Sequence, residues 1–261
     1  MKPNWIFQKL SLSLLVCHRN WTVYKKDFIS NTSPTLADPA LILVSLGLGL
    51  GGFVAEIHGR TYMQFLAPGL AVATALFTSF FESSYGFYVR MTYENVFKAM
   101  LTTPIGAAEI VFGELLWVGL KGALMASGVG IVLMFCGLMT QPMLLPLTAL
   151  VGFLVAVPCG AIGLLATGLV KNINQFQSVY SFLIAPMFYL SGIFFPFEQI
   201  HPWIRGLAQV FPLIHGVEMS QAIFWNEGLV KAVLQSGGIL FAQSVIYGAA
   251  SYFVIRKKLV S

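Results

Sequence analysis

Four ionisable side chains stand inside or at the edges of long apolar stretches of this 261-residue sequence: Glu82, Glu109, Glu114 and Lys121. An ionisable group in an apolar layer is costly, so such residues are the first candidates for function. Two interpretations fit the four. They could line a polar path or form a hinge network, or they could pair with one another near a membrane surface as structural ion pairs.

The sequence contains few of the residue patterns that enzymes use for catalysis. An intramembrane serine protease needs a GxSG nucleophile motif and a histidine in another span. Residues 125–128 (MASG) lack the first glycine, and all four histidines lie outside the apolar stretches. No carboxylate pair resembles an aspartyl protease, the histidine spacing matches no metal motif, and no GxxxxGK[ST] pattern occurs. We expect no catalytic residue, no metal and no ATP held by this chain; a membrane-embedded enzyme remains the less favoured alternative.

The composition explains why apolar stretches dominate. Hydrophobic residues make up 57% of the chain and charged residues 10%, and the mean hydropathy is +0.80. A soluble domain carries about 25% charged residues. The three cysteines are isolated, which argues against a disulfide framework or a zinc site. The chain is therefore expected to be an all-α, multi-pass membrane protein.

Six stretches are long enough to cross a bilayer, which takes about 20 helical residues. Each is continuously apolar rather than alternating, which excludes the strands of a β-barrel. The six predicted spans cover residues 37–55, 62–89, 110–138, 144–170, 176–195 and 234–255.

The positive charges fall on one side of these spans. With six spans, eleven of the fifteen Lys and Arg residues share a side with both termini. Positive residues concentrate in cytoplasmic loops, so both termini are expected in the cytoplasm. The net charge of +5 thus reports membrane orientation and gives no reason to expect a nucleic-acid partner.

Three segments between or before the spans have a distinct character. Residues 1–35 mix aromatic and basic residues and predict an amphipathic helix at the cytoplasmic surface, followed by a turn at 31–39 around two prolines. Residues 91–103 predict a short cytoplasmic helix that stops near Pro104. Residues 196–225 are too apolar for a free loop and too broken for a span. They are interpreted as a re-entrant helical hairpin, with an interfacial loop held by aromatic anchors as the alternative.

Small residues recur at multiples of four positions in the fourth predicted span, at Gly152, Ala156, Gly160 and Gly168. Such a stripe permits close helix contact. Internal packing is the expected use of this stripe, and it does not define an oligomer.

The layout and several local motifs resemble the permease subunits of ABC-2 type exporters, and most closely the NodJ-like lipooligosaccharide permeases. The resemblance covers about residue 26 to the C-terminus, with the spanning domain at 36–261. The motifs that carry it are FLAPGL at 65–70, SFFE at 79–82, YG at 85–86, VRM at 89–91, TP at 103–104 and LSGIFFP at 190–196.

The resemblance implies a bacterial inner-membrane transporter of two permease copies and two separate ATP-binding subunits, which hold ATP and Mg²⁺. Residues 91–103 would be the coupling helix, and residues 1–35 the connecting helix that also touches the ATPase. The hairpin around Trp203 and Phe211 would cap the outer end of the path. A lipid-linked or glycan-bearing substrate is favoured, with a drug or antibiotic as the alternative. The expected ATPase contacts are Glu94, Phe97, Lys98 and Met100.

Overall fold

A computed structural model describes residues 5–54 and 56–260 and is helical throughout most of them. The N-terminal region contains two helices, and the rest of the chain contains four long helices and four short ones. We number them α1 (Trp5–Lys26), α2 (Phe28–Gly49), α3 (Tyr62–Thr92), α4 (Val96–Leu101), α5 (Ala107–Phe135), α6 (Pro142–Leu169), α7 (residues 175–189), α8 (Pro202–Ala208), α9 (Pro212–Trp225) and α10 (Leu229–Val260).

Within the described residues, four helices are long and apolar enough to cross a membrane: α3, α5, α6 and α10. They correspond to the second, third, fourth and sixth predicted spans. The first and fifth predicted spans do not meet the same standard. The helix α2 ends at Gly49 and its first half is polar, and α7 is only 15 residues long before the chain becomes irregular. The count of six spans is therefore not confirmed by helix length and composition.

The turn predicted at residues 31–39 is wrong, because α2 continues through both Pro34 and Pro39. The fixed φ of proline suits a helix, and each proline removes one backbone hydrogen bond without ending the helix here. The predicted boundary between residues 35 and 36 accordingly falls inside α2. The amphipathic α1 does form; its buried positions include Ser13, Val16 and Asn20, which share one helical face.

The small-residue stripe of α6 packs inside the molecule, as expected. A Cβ atom added to Gly122 of α5 would lie 2.3 Å from the Cβ of Ala156, and one added to Gly152 would lie 2.6 Å from the Cβ of Ala126. Both distances are far below a van der Waals contact, so only glycine fits at these two positions. The helices α5 and α6 thus form the closely packed centre against which α3 and α10 lie.

The segment 175–195 follows α3 from one end to the other. Near the end of α3 that leads to α4, the rings of Phe176 and Tyr85 are 4.9 Å apart. At the opposite end, the Tyr62 hydroxyl donates to the carbonyl oxygen of Phe194 at 3.3 Å. This segment therefore covers the length of a spanning helix, although regular helix accounts for only part of it.

The predicted hairpin at 196–225 consists of α8 and α9, and α9 runs antiparallel to α3. The Trp225 indole N–H donates to the carbonyl of Gln64 at 3.3 Å, and one helical turn deeper Ser220 donates to the carbonyl of Pro68 at 2.8 Å. The beginning of α9 consequently lies far from the end of α3 that Tyr62 occupies.

The turn between α8 and α9 meets the middle of α10. The carbonyl oxygen of Val210 accepts hydrogen bonds from Gln243 Nε2 and from the Tyr247 hydroxyl, both at 3.0 Å. His215 Nε2 lies 2.9 Å from the carbonyl oxygen of Gln209, a hydrogen bond in which the imidazole N–H donates. Irregular backbone inside a membrane protein requires such internal partners.

Candidate functional site

The polar residues singled out in the sequence converge where α1, α3 and α5 meet. Glu82 lies on α3, and Glu114 and Lys121 lie on α5. Lys121 Nζ is 2.7 Å from Glu82 Oε2. Glu82 and Lys121 side chains are each 13% exposed, and the Glu114 side chain is fully buried. Three of the four predicted intramembrane charges therefore belong to one cluster.

The centre of this cluster is Arg90, a residue that the sequence pattern assigned to a cytoplasmic loop. Its Nη1 atom is 2.7 Å from Glu82 Oε1, and its Nη2 atom is 2.7 Å from Glu114 Oε2. The planar guanidinium thus joins two carboxylates from different helices, which is the geometry that arginine provides and lysine does not. With Lys121, the cluster contains two positive and two negative side chains and is neutral overall.

A local irregularity of α3 brings Glu82 and Arg90 together. Residues 82–86 form a π-helical turn, which inserts one residue into the α-helix. At about 100° per residue, positions eight apart in an α-helix diverge by about 80°, whereas positions seven apart differ by only about 20°. Because the π turn absorbs one residue, Glu82 and Arg90 are related as if seven apart. They therefore share one face.

The helix α6 supports this π turn. The Thr167 hydroxyl donates to the carbonyl of Ser83 at 3.0 Å, and the Ser83 hydroxyl in turn donates to the carbonyl of Ser79 at 2.6 Å. Gly163 makes room for this contact, since a Cβ there would lie 2.1 Å from Ser83 Oγ. Side chains of α6 and of α3 itself thus add hydrogen bonds to backbone carbonyl groups at the π turn.

The helix α1 closes the cluster on the remaining side. Asn20 Nδ2 donates to Glu114 Oε1 at 2.8 Å, and its Oδ1 accepts from Arg19 at 3.0 Å. The Lys121 ammonium lies 5.0 Å from the centre of the Tyr24 ring. The N-terminal helix is therefore bound to the same charged groups that connect α3 and α5. The sequence offered no direct signal for Asn20, because a polar residue on an amphipathic helix is usually exposed.

The predicted coupling segment forms a shorter helix than expected, α4 at Val96–Leu101. Asn95, in the left-handed conformation with φ of 54°, separates it from α3. Phe97 is buried and stacks on Phe87 of α3 with ring centres 4.4 Å apart. Phe87 is only three residues from Arg90, so α4 packs directly onto the part of α3 that carries the ion cluster.

Of the four residues expected to contact an ATPase, Glu94 and Lys98 are exposed, Met100 is half-buried and Phe97 faces the interior. A partner contact on this segment stays a prediction, and it would involve the exposed side chains. Phe97 instead fixes α4 to α3.

The other predicted site residues lie apart from the cluster. Glu109 accepts a hydrogen bond from the Gly106 N–H at 3.0 Å at the start of α5 and lies 3.4 Å from Lys9. Trp203 on α8 is 67% exposed, whereas Phe211 packs partly against the core. Across residues 5–54 and 56–260, no three His, Cys, Asp or Glu side chains are grouped as a metal ion would require.

A second polar group lies at the far end of α3. Arg60 pairs with Glu227, and its guanidinium carbon lies 4.4 Å from the centre of the Trp225 ring. The Trp225 ring also stacks on the ring of Phe65, with ring centres 6.1 Å apart. These contacts fasten the connection between α2 and α3 to the end of α9.

The sequence is similar to known proteins over nearly its whole length. A family model described as ABC-2 type transporter matches residues 12–225. Nodulation protein J of Rhizobium meliloti (strain 1021) is 30% identical over 260 residues, covering 98% of this chain and 94% of that protein. Nodulation protein J of Rhizobium leguminosarum bv. trifolii is 31% identical over 260 residues with the same coverage. The Inner membrane transport permease YadH of Escherichia coli (strain K12) is 24% identical over 195 residues, 74% of each chain.

Proposed function

Because this chain belongs to the ABC-2 type transporter family, we propose that it is the permease subunit of an ATP-driven exporter that moves a lipid-linked or glycan-bearing substrate across a bacterial inner membrane. The substrate class is supported by near full-length similarity to proteins named Nodulation protein J, read with the resemblance to lipooligosaccharide permeases. The chain contains no GxxxxGK[ST] motif, so a separate subunit would bind and hydrolyse ATP.

The observation that carries this proposal is the packing of α4 onto the part of α3 that carries the ion cluster. A force applied to α4 by a partner would reach α3 through Phe97 and Phe87, and from there Arg90 connects to Glu114 on α5. Asn20 adds α1 to the same connection. An ATPase docked on α4 and α1 would therefore act on one joined unit of three helices rather than on separate loops.

The proposed topology keeps six crossings with both termini in the cytoplasm. Two contacts support a fifth crossing at 175–195, since this segment lies beside both ends of the spanning helix α3. Two hydrogen bonds from the middle of α10 to Val210 support a re-entrant hairpin, because they place the turn between α8 and α9 at the depth of the α10 midpoint. The concentration of basic residues supports the orientation.

The complete transporter would contain two copies of this chain and two ATP-binding subunits, with the path between the two permeases. In that arrangement the hairpin bearing Trp203 and Phe211 would lie at the outer end of the path.

The deciding experiment is transport by reconstituted vesicles that contain the chain, its ATPase subunit and a candidate lipid-linked oligosaccharide. We expect ATP-dependent accumulation that disappears when the ATPase carries an inactivating P-loop substitution. Transport of a drug but not of the glycolipid would overturn the substrate class. Equal transport with the inactive ATPase would overturn the ATP-driven mechanism.

The docking site is tested by charge reversal on α4 and in the turn before it. Lys98→Glu on α4 and Glu94→Lys in the turn are expected to weaken co-purification with the ATPase, because both side chains are exposed on the proposed contact. Lys231→Glu, an exposed lysine at the start of α10, is the matched control. If both variants retain full binding and full stimulation of the ATPase, this segment is not the docking site.

A further inference from the structure

An apolar groove runs along the outside of the helical bundle, from the beginning of α1 and α5 to the middle of α6 and α10. It is bounded by α1, α5, α6 and α10 and has a volume of about 720 Å³. Pockets that hold organic ligands measure about 300–1,000 Å³, so this groove is large enough for a bound molecule. Its lining includes none of the four charged residues of the ion cluster and no residue of α4.

The groove exists because small residues of α10 face large residues of its neighbours. Ser244, Gly248 and Ala249 leave a recess on α10, while Phe112 of α5 and Phe153 of α6 form the opposite wall. A Cβ added to Gly248 would meet only a leucine side chain at 3.5 Å, an ordinary contact, so the space beside it is open. The exposed surface of the groove wall is almost entirely apolar, so its occupant must be largely hydrocarbon.

One end of the groove carries positive charge. Lys9 of α1 lines it, and the Lys9 side chain is 54% exposed although its ammonium lies 3.4 Å from Glu109. Tyr252 lines the same groove, and the guanidinium carbon of Arg256 is 6.0 Å from the centre of the Tyr252 ring. Counted over the described side chains, Lys9 and Arg256 together outweigh Glu109 by one positive charge at this end of the groove.

We propose that this groove is a binding site for one anionic phospholipid, whose acyl chain lies between α5, α6 and α10 and whose headgroup phosphate contacts Lys9 and Arg256. The combination of an apolar wall and a basic rim matches the two parts of such a lipid. Basic residues close to a membrane surface attract anionic lipids at roughly 1 kcal/mol each, which corresponds to about a fivefold preference per residue. The bound lipid fills the space between α1 and α10.

The wild-type chain alone tests the preference. After controlled delipidation in a nonionic detergent, the full-length protein receives equal amounts of phosphatidylglycerol and phosphatidylcholine with identical acyl chains, and bound lipid is counted by native mass spectrometry. We expect one phosphatidylglycerol to be retained several-fold more often than phosphatidylcholine. Equal retention of the two lipids, or retention of neither, would overturn the proposal. Added glycerol phosphate, which lacks acyl chains, is expected not to compete.

Two variants locate the site. Gly248→Leu fills the groove and should abolish retention of both lipids, whereas Gly238→Leu, on the same helix but with open space around it, should change nothing. The pair Lys9→Gln with Arg256→Gln should remove the several-fold preference for phosphatidylglycerol.

The matched control pair is Lys26→Gln with Lys231→Gln, which removes two exposed lysines from the opposite ends of the same two helices. Equal loss of preference in the control pair, or undiminished lipid binding in Gly248→Leu, would show that the lipid binds elsewhere.

Discussion

Replacing Arg90 by methionine is the sharpest test of the ion cluster, because it keeps the side-chain bulk and removes the central positive charge. Among the described residues, the fully buried Glu114 would lose its pair with Arg90 and keep the hydrogen bond from Asn20. Glu82 would keep its pair with Lys121. The cluster would change from neutral to an excess negative charge in an environment with little water.

Removing one partner of a buried ion pair costs about 3–5 kcal/mol. For a domain of this size each kcal/mol lowers Tm by about 2–4 °C, so the expected decrease is roughly 6–20 °C. The assay is thermal unfolding of the purified chain in detergent, followed by circular dichroism. Arg205→Met, which replaces a half-buried arginine on α8, is the control.

A second substitution separates charge imbalance from lost packing. Glu114→Gln added to Arg90→Met restores neutrality, and we expect it to recover more than half of the lost stability. The reasoning is refuted if Arg90→Met unfolds at the same temperature as Arg205→Met. It is also refuted if the double variant is less stable than Arg90→Met alone.

Three further predictions follow from packing and reactivity. Phe97→Ala should lower stability by about 3–5 kcal/mol and reduce ATPase co-purification, measured on the same preparation. Gly163→Leu should lower the free energy of unfolding by about 1–3 kcal/mol, because the leucine side chain would displace Ser83. Gly206→Leu, where the glycine faces open space, should leave the thermal unfolding temperature unchanged. A membrane-impermeant maleimide applied from outside intact cells should label the exposed Cys136 alone. Burial shields the thiol of Cys17 and raises the pKa of that thiol, which makes Cys17 unreactive. Labelling of Cys136 only from the cytoplasmic side would contradict the proposed topology.

Apolar runs predicted the four longest helices because length and hydrophobicity alone determine whether a segment can span a membrane. The same reasoning was less decisive for α2, where polar residues and two prolines precede a short apolar stretch. It was also less decisive for α7, whose helix ends at Tyr189 while the chain continues along α3. In both segments the course of the backbone depends on tertiary contacts with α3. A local sequence pattern carries no information about such contacts.

The charged residues show a similar division. Glu82, Glu114 and Lys121 could be selected from sequence because each lies in an apolar run. Arg90 could not, because ordinary helical spacing places it about 80° away from Glu82 and beside a basic loop. A usable signal was present nonetheless: two buried carboxylates next to one lysine require a second cation, and Arg90 was the nearest arginine in the chain.

For Phe97 the sequence correctly indicated a short helix with one apolar side, but that pattern does not distinguish a side that faces a partner from one that faces the protein. The stacking of Phe97 on Phe87 settles the direction. Docking surfaces on this segment should therefore be sought among Glu94, Lys98 and the adjoining exposed positions.

The π turn at 82–86 makes the length of α3 as important as its composition. A regular α-helix that kept all five residues of this turn would rotate everything after it by about 100° relative to everything before it. Arg90 would then leave the face that it shares with Glu82, although no side chain near the ion cluster had changed its identity. Removing one residue from the turn would have a milder effect, because Glu82 and Arg90 would then lie seven positions apart in a regular helix and still share a face. Inserting one further residue would separate them, so the alignment of the two ends of α3 tolerates a shorter turn better than a longer one.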